Sequence, residues 1–291
     1  MPLAVKLPSI EDSAQPVKYL NVLSRKKTAV QRQLRREGLG GYEPEFLSSM
    51  LAFGSVLPRG FTFLDVGSHI GLYAALLEKL FEARATAFEA TPDTAEECRV
   101  LRRANGLSFD IVNAAVSNEA KEVAFYLSPK SESSNSLNAT FRPGSDVIHV
   151  SATTLDLHCS DMMPHLIKID VETHEPEVLL GGMDMIRRAR PIIACEILPK
   201  TNEETLTRAV RELSEMGYIL YHVSEEMVWP EVPLGQVSHL LDHAKRDWVL
   251  TPKPLDSRYH DFRGKWLTAL KECGQETNLL TPSKAEAAKN I

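Results

Sequence analysis

The sequence predicts an α/β fold: a mostly parallel sheet covered on both faces by helices, with a β-hairpin inserted into it. Three observations lead there. Strand-like and helix-like patterns alternate from residue 60 to near residue 223, the order that a parallel sheet with crossover helices requires. The run Gly60-Phe61-Thr62-Phe63-Leu64-Asp65-Val66-Gly67-Ser68-His69-Ile70-Gly71 is an apolar strand that ends on a carboxylate, enters a glycine turn and opens onto a helix. The strand-then-acid pattern returns at Ala85-Thr86-Ala87-Phe88-Glu89 and at Leu166-Ile167-Lys168-Ile169-Asp170-Val171-Glu172-Thr173-His174-Glu175.

Taken in order, residues 1–20 are mixed and punctuated by proline, and are expected to be loosely ordered. A helical stretch follows. Phe46, Met50 and Phe53 at i, i+4 and i+7, flanked by Leu47 and Leu51, then mark a second helix leading up to Pro58-Arg59-Gly60. The first strand closes on Asp65, and its helix carries Leu72, Tyr73, Leu76, Leu77, Leu80 and Phe81 at helical spacing. After the second strand, which closes on Glu89, Thr91-Pro92 supplies an N-cap with proline at the first helical position, and Asn105-Gly106 supplies the stop. The third strand spans residues 109–113.

Residues 122–127 and 146–152 alternate as strands on either side of Ser131-Glu132-Ser133-Ser134-Asn135-Ser136, a hairpin expected to have a mobile tip. The fourth, fifth and sixth parallel strands are expected at 166–171, 191–198 and 218–223, with a helix over 202–216 stopped by Gly217. Residues 247–251 give a last strand, and the tail from about residue 281 is expected to fray. The division that follows is an N-terminal helical extension or lid over 1–58, a ligand-binding domain over 59–255, and a C-terminal helix with a flexible tail over 256–291.

Hydrophobic residues make up 43% of the chain and charged residues 25%, which admits a sizeable core in a globular protein. No stretch reaches the roughly 18 apolar residues a membrane span needs. The N-terminus lacks the charged-then-apolar layout of a secretory leader, so a cytoplasmic protein without a membrane partner is expected. A net charge of −6 argues against nucleic acid as a partner. Arg25, Lys26, Lys27, Arg32, Arg35 and Arg36 form a local basic run that reads as a solvated helix face. Cys98, Cys159, Cys195 and Cys273 have no ligand-like spacing and read as small buried hydrophobes.

In an open parallel sheet, ligands bind beyond the carboxyl ends of the strands. Gly67 and Gly71 let a ligand approach the backbone, Ser68 and His69 lie between them, and the helix N-terminus behind offers free N–H groups. The spacing is Gly-x-x-x-Gly, without the GxGxxG that seats a pyrophosphate. Asp65 would oppose a pyrophosphate and favour an ammonium group. Glu89, followed by Ala90, stands where a carboxylate accepts both ribose hydroxyls, and Asn113-Ala114 is expected beside the base. A cationic, amino-acid-bearing nucleoside, S-adenosyl-L-methionine, suits these residues better than a dinucleotide.

At the fourth strand, Lys168, Asp170, Glu172, His174 and Glu175 crowd ionisable groups at the strand's mouth, with Glu196 closing the next strand. Burying such a cluster is costly, which points to chemistry. Here the chain resembles the FkbM family of S-adenosylmethionine-dependent methyltransferases. The matching residues are Asp65-Val66-Gly67-Ser68-His69-Ile70-Gly71, Phe88-Glu89, Asn113-Ala114-Ala115-Val116, Thr154-Leu155-Asp156, residues 168–175, Gly181-Gly182 and Glu196. His69 stands where the family has asparagine, and Thr173 where it has glycine.

The resemblance covers about residues 60–200. It implies a class I methyltransferase, Rossmann-like fold of seven strands with the last antiparallel. It also implies methyl transfer to oxygen, typically a hydroxyl of a sugar, polyketide or other secondary metabolite. An alcohol must lose its proton on the way, and Asp170, Glu172 and His174 are the candidates: two acceptor-positioning acids and a base. A second arrangement has the carboxylates hold Mg²⁺ to acidify the hydroxyl. Two other functions stay open, an NAD-dependent oxidoreductase and a non-catalytic binding module on the same fold.

Overall fold

The computed structural model describes residues 3–10, 18–23, 28–129, 131–141, 144, 146–224, 231–232, 240–242, 245–273 and 277–279. The chain opens with an antiparallel pair, β1 (Leu3–Lys6) and β2 (Tyr19–Val22), where a loosely ordered segment was expected. Leu3, Val5, Leu20 and Val22 are buried, and that burial offsets the entropy of ordering the strands. Helix α1 (Ala29–Glu37) starts at Thr28, whose hydroxyl accepts the Gln31 N–H at 3.1 Å. Arg32, Arg35 and Arg36 lie on its exposed side, as expected. Arg25, Lys26, Lys27 and the tail from residue 281 lie outside the described residues.

Helix α2 (Pro44–Val56) leads to β3 (Thr62–Val66), α3 (Leu72–Phe81), β4 (Arg84–Phe88), α4 (Pro92–Ala104) and β5 (Asp110–Val112). Then come β6 (Ala115–Val116), β7 (Glu122–Leu127), β8 (Asp146–Thr153), α5 (Leu155–His158), β9 (Leu166–Ile169), α6 (Glu175–Leu180), α7 (Met183–Ala189) and β10 (Ile192–Glu196). The chain continues through α8 (Glu203–Glu215), β11 (Ile219–His222), β12 (Glu231–Val232), β13 (Asp247–Thr251), α9 (Ser257–Cys273) and β14 (Thr277–Leu279).

The main sheet runs β11-β13-β10-β9-β3-β4-β5, seven strands of which β13 is antiparallel to its neighbours, as the resemblance implied. The two-residue β12 adds an antiparallel edge beyond β11. From β3 the chain winds outward through β4 to β5, then returns to β9 on the other side of β3. The junction of β3 and β9 is therefore the switch point at which open sheets take their ligands.

Side chains along each strand alternate between two cores. Phe63 and Leu166 pack with the residues of α2, α3 and α9 on one face, whereas Leu64, Val66, Ile167 and Ile169 pack with α6, α7 and α8 on the other. Asp65 and Lys168 are register partners across β3 and β9 and share the first face, so a carboxylate and an ammonium lie side by side in an otherwise apolar layer.

The ends of the chain meet on that face. The rings of Phe53 and Tyr259 stack at 4.4 Å, Trp266 Nε1 donates to Ser55 Oγ at 2.8 Å, and the buried Arg263 donates to Ser49 Oγ at 3.2 Å and to the Ser224 carbonyl. Strand β14 pairs with β1. The apolar core is continuous across residues 58/59 and 255/256.

Strands β7 and β8 form the expected hairpin, in register from Glu122↔Ser151 to Leu127↔Asp146. Residues 131–141 of its connection, where a mobile tip was expected, lie against the body. Ser136 exchanges backbone hydrogen bonds with Tyr126 at 2.9 and 3.1 Å, and its buried hydroxyl donates to the Glu172 carbonyl at 2.5 Å. Asn138 Nδ2 donates to Thr173 Oγ1 at 2.9 Å and to the Lys200 carbonyl at 3.3 Å. The four cysteines are buried free thiols. Among the described residues no helix is long and apolar enough to cross a membrane.

Candidate active site

The turn after β3 is shaped by its neighbours. Gly67 N–H and Ser68 N–H both donate to the Phe88 carbonyl, at 3.1 and 2.9 Å, which ties the turn to β4. Gly67 has φ +75°, and a Cβ there would lie 1.9 Å from the Asp170 carbonyl oxygen, so this position admits glycine alone. His69 has φ +51°. Asparagine and histidine both tolerate the left-handed region better than most residues, which explains how histidine replaces the family's asparagine. Gly71 caps α3.

Glu89 is held from two sides. Its Oε2 accepts the His69 N–H at 3.0 Å and its Oε1 the Thr91 N–H at 2.8 Å. Burial pushes its pKa up to about 7 against the pull of those donors. Asn113 Nδ2 donates to the carbonyls of Glu89 and Ala90 at 2.8 and 3.0 Å, fixing the loop that carries them.

Asp65 lies behind the turn and is fully buried. Its Oδ2 accepts the Ala74 N–H at 3.1 Å, in the first turn of α3, so it secures the start of that helix. Its Oδ1 has no hydrogen-bond partner among the described residues and faces Lys168 Nζ at 3.9 Å. Burial pushes Asp65 up to about 6, opposed by Lys168 and the Ala74 N–H. Lys168 Nζ also donates to Asp170 Oδ2 at 3.0 Å and lies 5.1 Å from the centre of the Tyr73 ring. Burial disfavours its ammonium, but Asp170, Asp65 and Glu43 together outweigh that and hold its pKa above the usual lysine value.

The loop after β9 is strained. Glu172 and Thr173 take φ +57° and +83° in succession, and a β-branched residue in that region costs about 1–2 kcal/mol. Glu175 compensates: its Oε1 accepts the N–H groups of Val171 and Thr173 at 3.1 and 3.2 Å. Burial pushes this carboxyl up to about 8. His174 Nε2 lies 2.9 Å from Ser117 Oγ, and its Nδ1 lies 3.5 Å from Glu177 Oε2. Burial lowers its pKa to about 4, which keeps the imidazole neutral.

A cavity of about 550 Å³ runs from the β3 turn to the β9 loop. Gly67, Ser68, His69, Glu89, Ala90 and Ala114 line one half, and Lys168, Asp170, Glu172, His174 and Glu196 the other. Asp65, Gly71 and Asn113, also expected at the site, are not on its wall. Residues not anticipated also join it, among them Tyr42 and Glu43 from the N-terminal extension, Tyr73 from α3, and Arg246, which pairs with Glu196.

Ser68 Oγ lines the cavity, is buried, and has no hydrogen-bond partner among the described residues. It is a group for a ligand to satisfy. The Mg²⁺ arrangement does not fit: Asp170 is engaged by Lys168 and Glu175 by backbone N–H groups. Among the described residues no three His, Cys, Asp or Glu are grouped to hold a metal ion.

Comparison with solved structures returns distant matches. An FkbM methyltransferase from Methylobacillus flagellatus KT is 18% identical with a TM-score of 0.45, covering 67% of this chain and 45% of that one. The chain thus spans under half the length of that protein. An rRNA methylase from Streptococcus thermophilus is 11% identical with a TM-score of 0.41, over 70% of this chain and 93% of that one. A SAM-dependent methyltransferase from Aquifex aeolicus is 14% identical with a TM-score of 0.37, over 75% and 91%. No curated protein sequence matches. The family profile of the methyltransferase FkbM domain matches residues 65–220, from the acid of β3 to the middle of β11. That span is more than half of the chain, and the chain belongs to the FkbM methyltransferase family.

Proposed function

We propose that this protein transfers a methyl group from S-adenosyl-L-methionine to a hydroxyl oxygen of a small molecule such as a sugar or secondary metabolite. The observation that carries the reading is the single cavity in which the Gly67–His69 turn and Glu89 meet the Lys168–Asp170 end of β9. The cofactor half suits the donor. Gly67 leaves room at the backbone, Ser68 Oγ offers an unsatisfied hydroxyl, and Glu89 retains lone pairs for a ribose diol. Ala90 and Ala114 leave space for the base. When bound, S-adenosyl-L-methionine supplies a methyl carbon activated by a sulfonium.

The protein's own part is to orient the acceptor and move its proton. Asp170, fixed by Lys168, and Glu172, on its strained loop, are the acceptor-positioning acids. A base role for His174 would require its ring to leave Ser117. The described part of the N-terminal extension acts as a cover, since Ala29, Val30, Tyr42 and Glu43 line the cavity. Helix α9 braces α2 through Tyr259, Arg263 and Trp266, and the strand ends between residues 59 and 255 carry the donor site. Net charge and composition favour a small acceptor in the cytoplasm over nucleic acid.

Calorimetry with S-adenosylhomocysteine tests the reading. The wild-type protein is expected to bind. Glu89→Gln should weaken binding about ten-fold or more, equivalent to at least ~1.4 kcal/mol. Glu172→Gln should leave affinity within about two-fold while lowering transfer of tritiated methyl to pooled methyl glycosides and hydroxylated lactones. Binding of NADH instead of S-adenosylhomocysteine would replace methyl transfer with hydride transfer. Binding with no transfer to any acceptor would favour a non-catalytic module.

A further inference from the structure

We propose that Glu43, which lies in the N-terminal extension outside the family-matched residues, takes the proton of the acceptor hydroxyl while Asp170 holds that hydroxyl in place. The proposal rests on the methyl-transfer reading above and adds a proton acceptor to it. Glu43 is the N-cap of α2, with φ +44° and ψ +52° directly before Pro44. That is the left-handed region, unfavourable for glutamate and further disfavoured for a residue preceding proline. Strain at an N-cap is usually offset by the side chain accepting a helix N–H. Glu43 makes no such bond.

Its carboxylate goes to the cavity wall instead. Oε2 accepts the Tyr73 hydroxyl at 2.9 Å, and the Tyr73 ring lies beneath Lys168 Nζ. Glu43 sits deep among protein atoms yet is solvent-exposed, because the cavity opens onto it. Asp170, across the same site, has Oδ2 committed to Lys168. Among the described residues the hydrogen-bond partner of Glu43 is a neutral hydroxyl on Oε2, which leaves Oε1 for substrate.

The groups around Glu43 tune it toward this task. Burial and the nearby Asp170 raise its affinity for a proton, against Lys168, the Tyr73 hydroxyl and Arg246. A base poised nearer neutrality than an ordinary glutamate suits proton transfer. In the step itself the acceptor oxygen bonds to the methyl carbon as the carbon–sulfur bond breaks. The bonding pair passes to sulfur, the hydroxyl proton passes to Glu43, and solvent later removes it through the open cavity.

Glu43→Gln preserves shape and tests the role. Its affinity for S-adenosylhomocysteine should stay within about two-fold, because Glu43 is on the acceptor side. Its kcat with methyl glycosides and tritiated S-adenosylmethionine should fall about 10²–10⁴-fold. In protein labelled at the glutamate δ-carbon, the NMR resonance lost in Glu43→Gln should titrate above the ordinary glutamate range and shift back toward it in Asp170→Asn. Unchanged kcat in Glu43→Gln, strongly weakened S-adenosylhomocysteine binding, or an ordinary titration indifferent to Asp170→Asn would overturn the proposal. A wild-type protein that methylates no acceptor overturns the parent reading with it, whereas an active Glu43→Gln overturns this step alone.

Discussion

Replacing Gly67 by alanine puts the geometry of the β3–β9 junction to a quantitative test. At φ +75° any L-residue costs about 1–2 kcal/mol, and alanine's smaller unfolded-state entropy returns about 0.4–1 kcal/mol of that. The added Cβ would also lie 1.9 Å from the Asp170 carbonyl oxygen and 2.8 Å from its carbon. To reach the 3.0 Å that real Cβ contacts respect, the ends of β3 and β9 must part by about 1.1 Å. Such overpacking costs a further 1–3 kcal/mol or so. Gly106→Ala is the control, because its φ of +61° carries the same backbone cost and nothing lies within 4 Å of its Cβ. Urea unfolding should therefore show Gly67→Ala destabilised by about 2–4 kcal/mol and Gly106→Ala by about 1 kcal/mol or less. Because Asp170 moves too, methyl transfer by Gly67→Ala should fall about 10²-fold even where the protein is folded. Equal destabilisation of the two variants, within about 0.5 kcal/mol, would refute the close approach on which the site is built.

Thr173→Val keeps the β-branch at φ +83° but removes the acceptor for Asn138, and should lower stability by about 0.5–1.5 kcal/mol in thermal unfolding. Thr173→Gly loses the same bond but sheds the strain, and should be the milder change. Asp65, Glu89 and Glu175 hold protons to about pH 6, 7 and 8 in the folded protein but to about 3.8, 4.5 and 4.5 when unfolded. The folded state thus binds more protons across that window. The stability these groups lend is present below about pH 4 and is lost as pH rises towards 8, at up to ~1.4 kcal/mol per pH unit for each. Urea midpoints of the ligand-free protein that rise steadily from pH 5 to 8 would contradict this. Lys168→Met strands Asp65 in an apolar layer and should cost about 3–5 kcal/mol at pH 8. Adding Asp65→Asn should recover part of that in a double-mutant cycle.

The central sheet was legible because buried parallel strands read as short apolar runs closed by acids, and the β7–β8 hairpin because its strands alternate. The β1–β2 pair was not. Leu3-Ala4-Val5-Lys6 is too short to show a period, and its partner lies beyond a proline-punctuated stretch. The cavity residues at strand ends, from Gly67 and Glu89 to Asp170, Glu172, His174 and Glu196, could be read from the sequence. Glu43, Tyr73 and Arg246 could not, because they meet only through tertiary packing, and Glu43 before Pro44 reads as an ordinary helix start.

Carboxylates in the motifs posed a subtler difficulty. Asp156 caps α7 by accepting the N–H groups of Asp184 and Met185 at 3.2 and 2.7 Å, and Glu175 braces its own loop. Fixing a backbone and binding a substrate both call for the same residue type, so spacing does not separate them.

The packing of α9 on α2 also sets an order of assembly. Residues 65–220 leave the ribosome before α9, so the donor half can take shape while α2, and Glu43 at its head, still lacks the helix that Phe53, Ser49 and Ser55 rest against. A chain halted before residue 257 would carry the Gly67–His69 turn, Glu89 and the end of β9 while the α2 face around Ser49, Phe53 and Ser55 stayed without its packing partner.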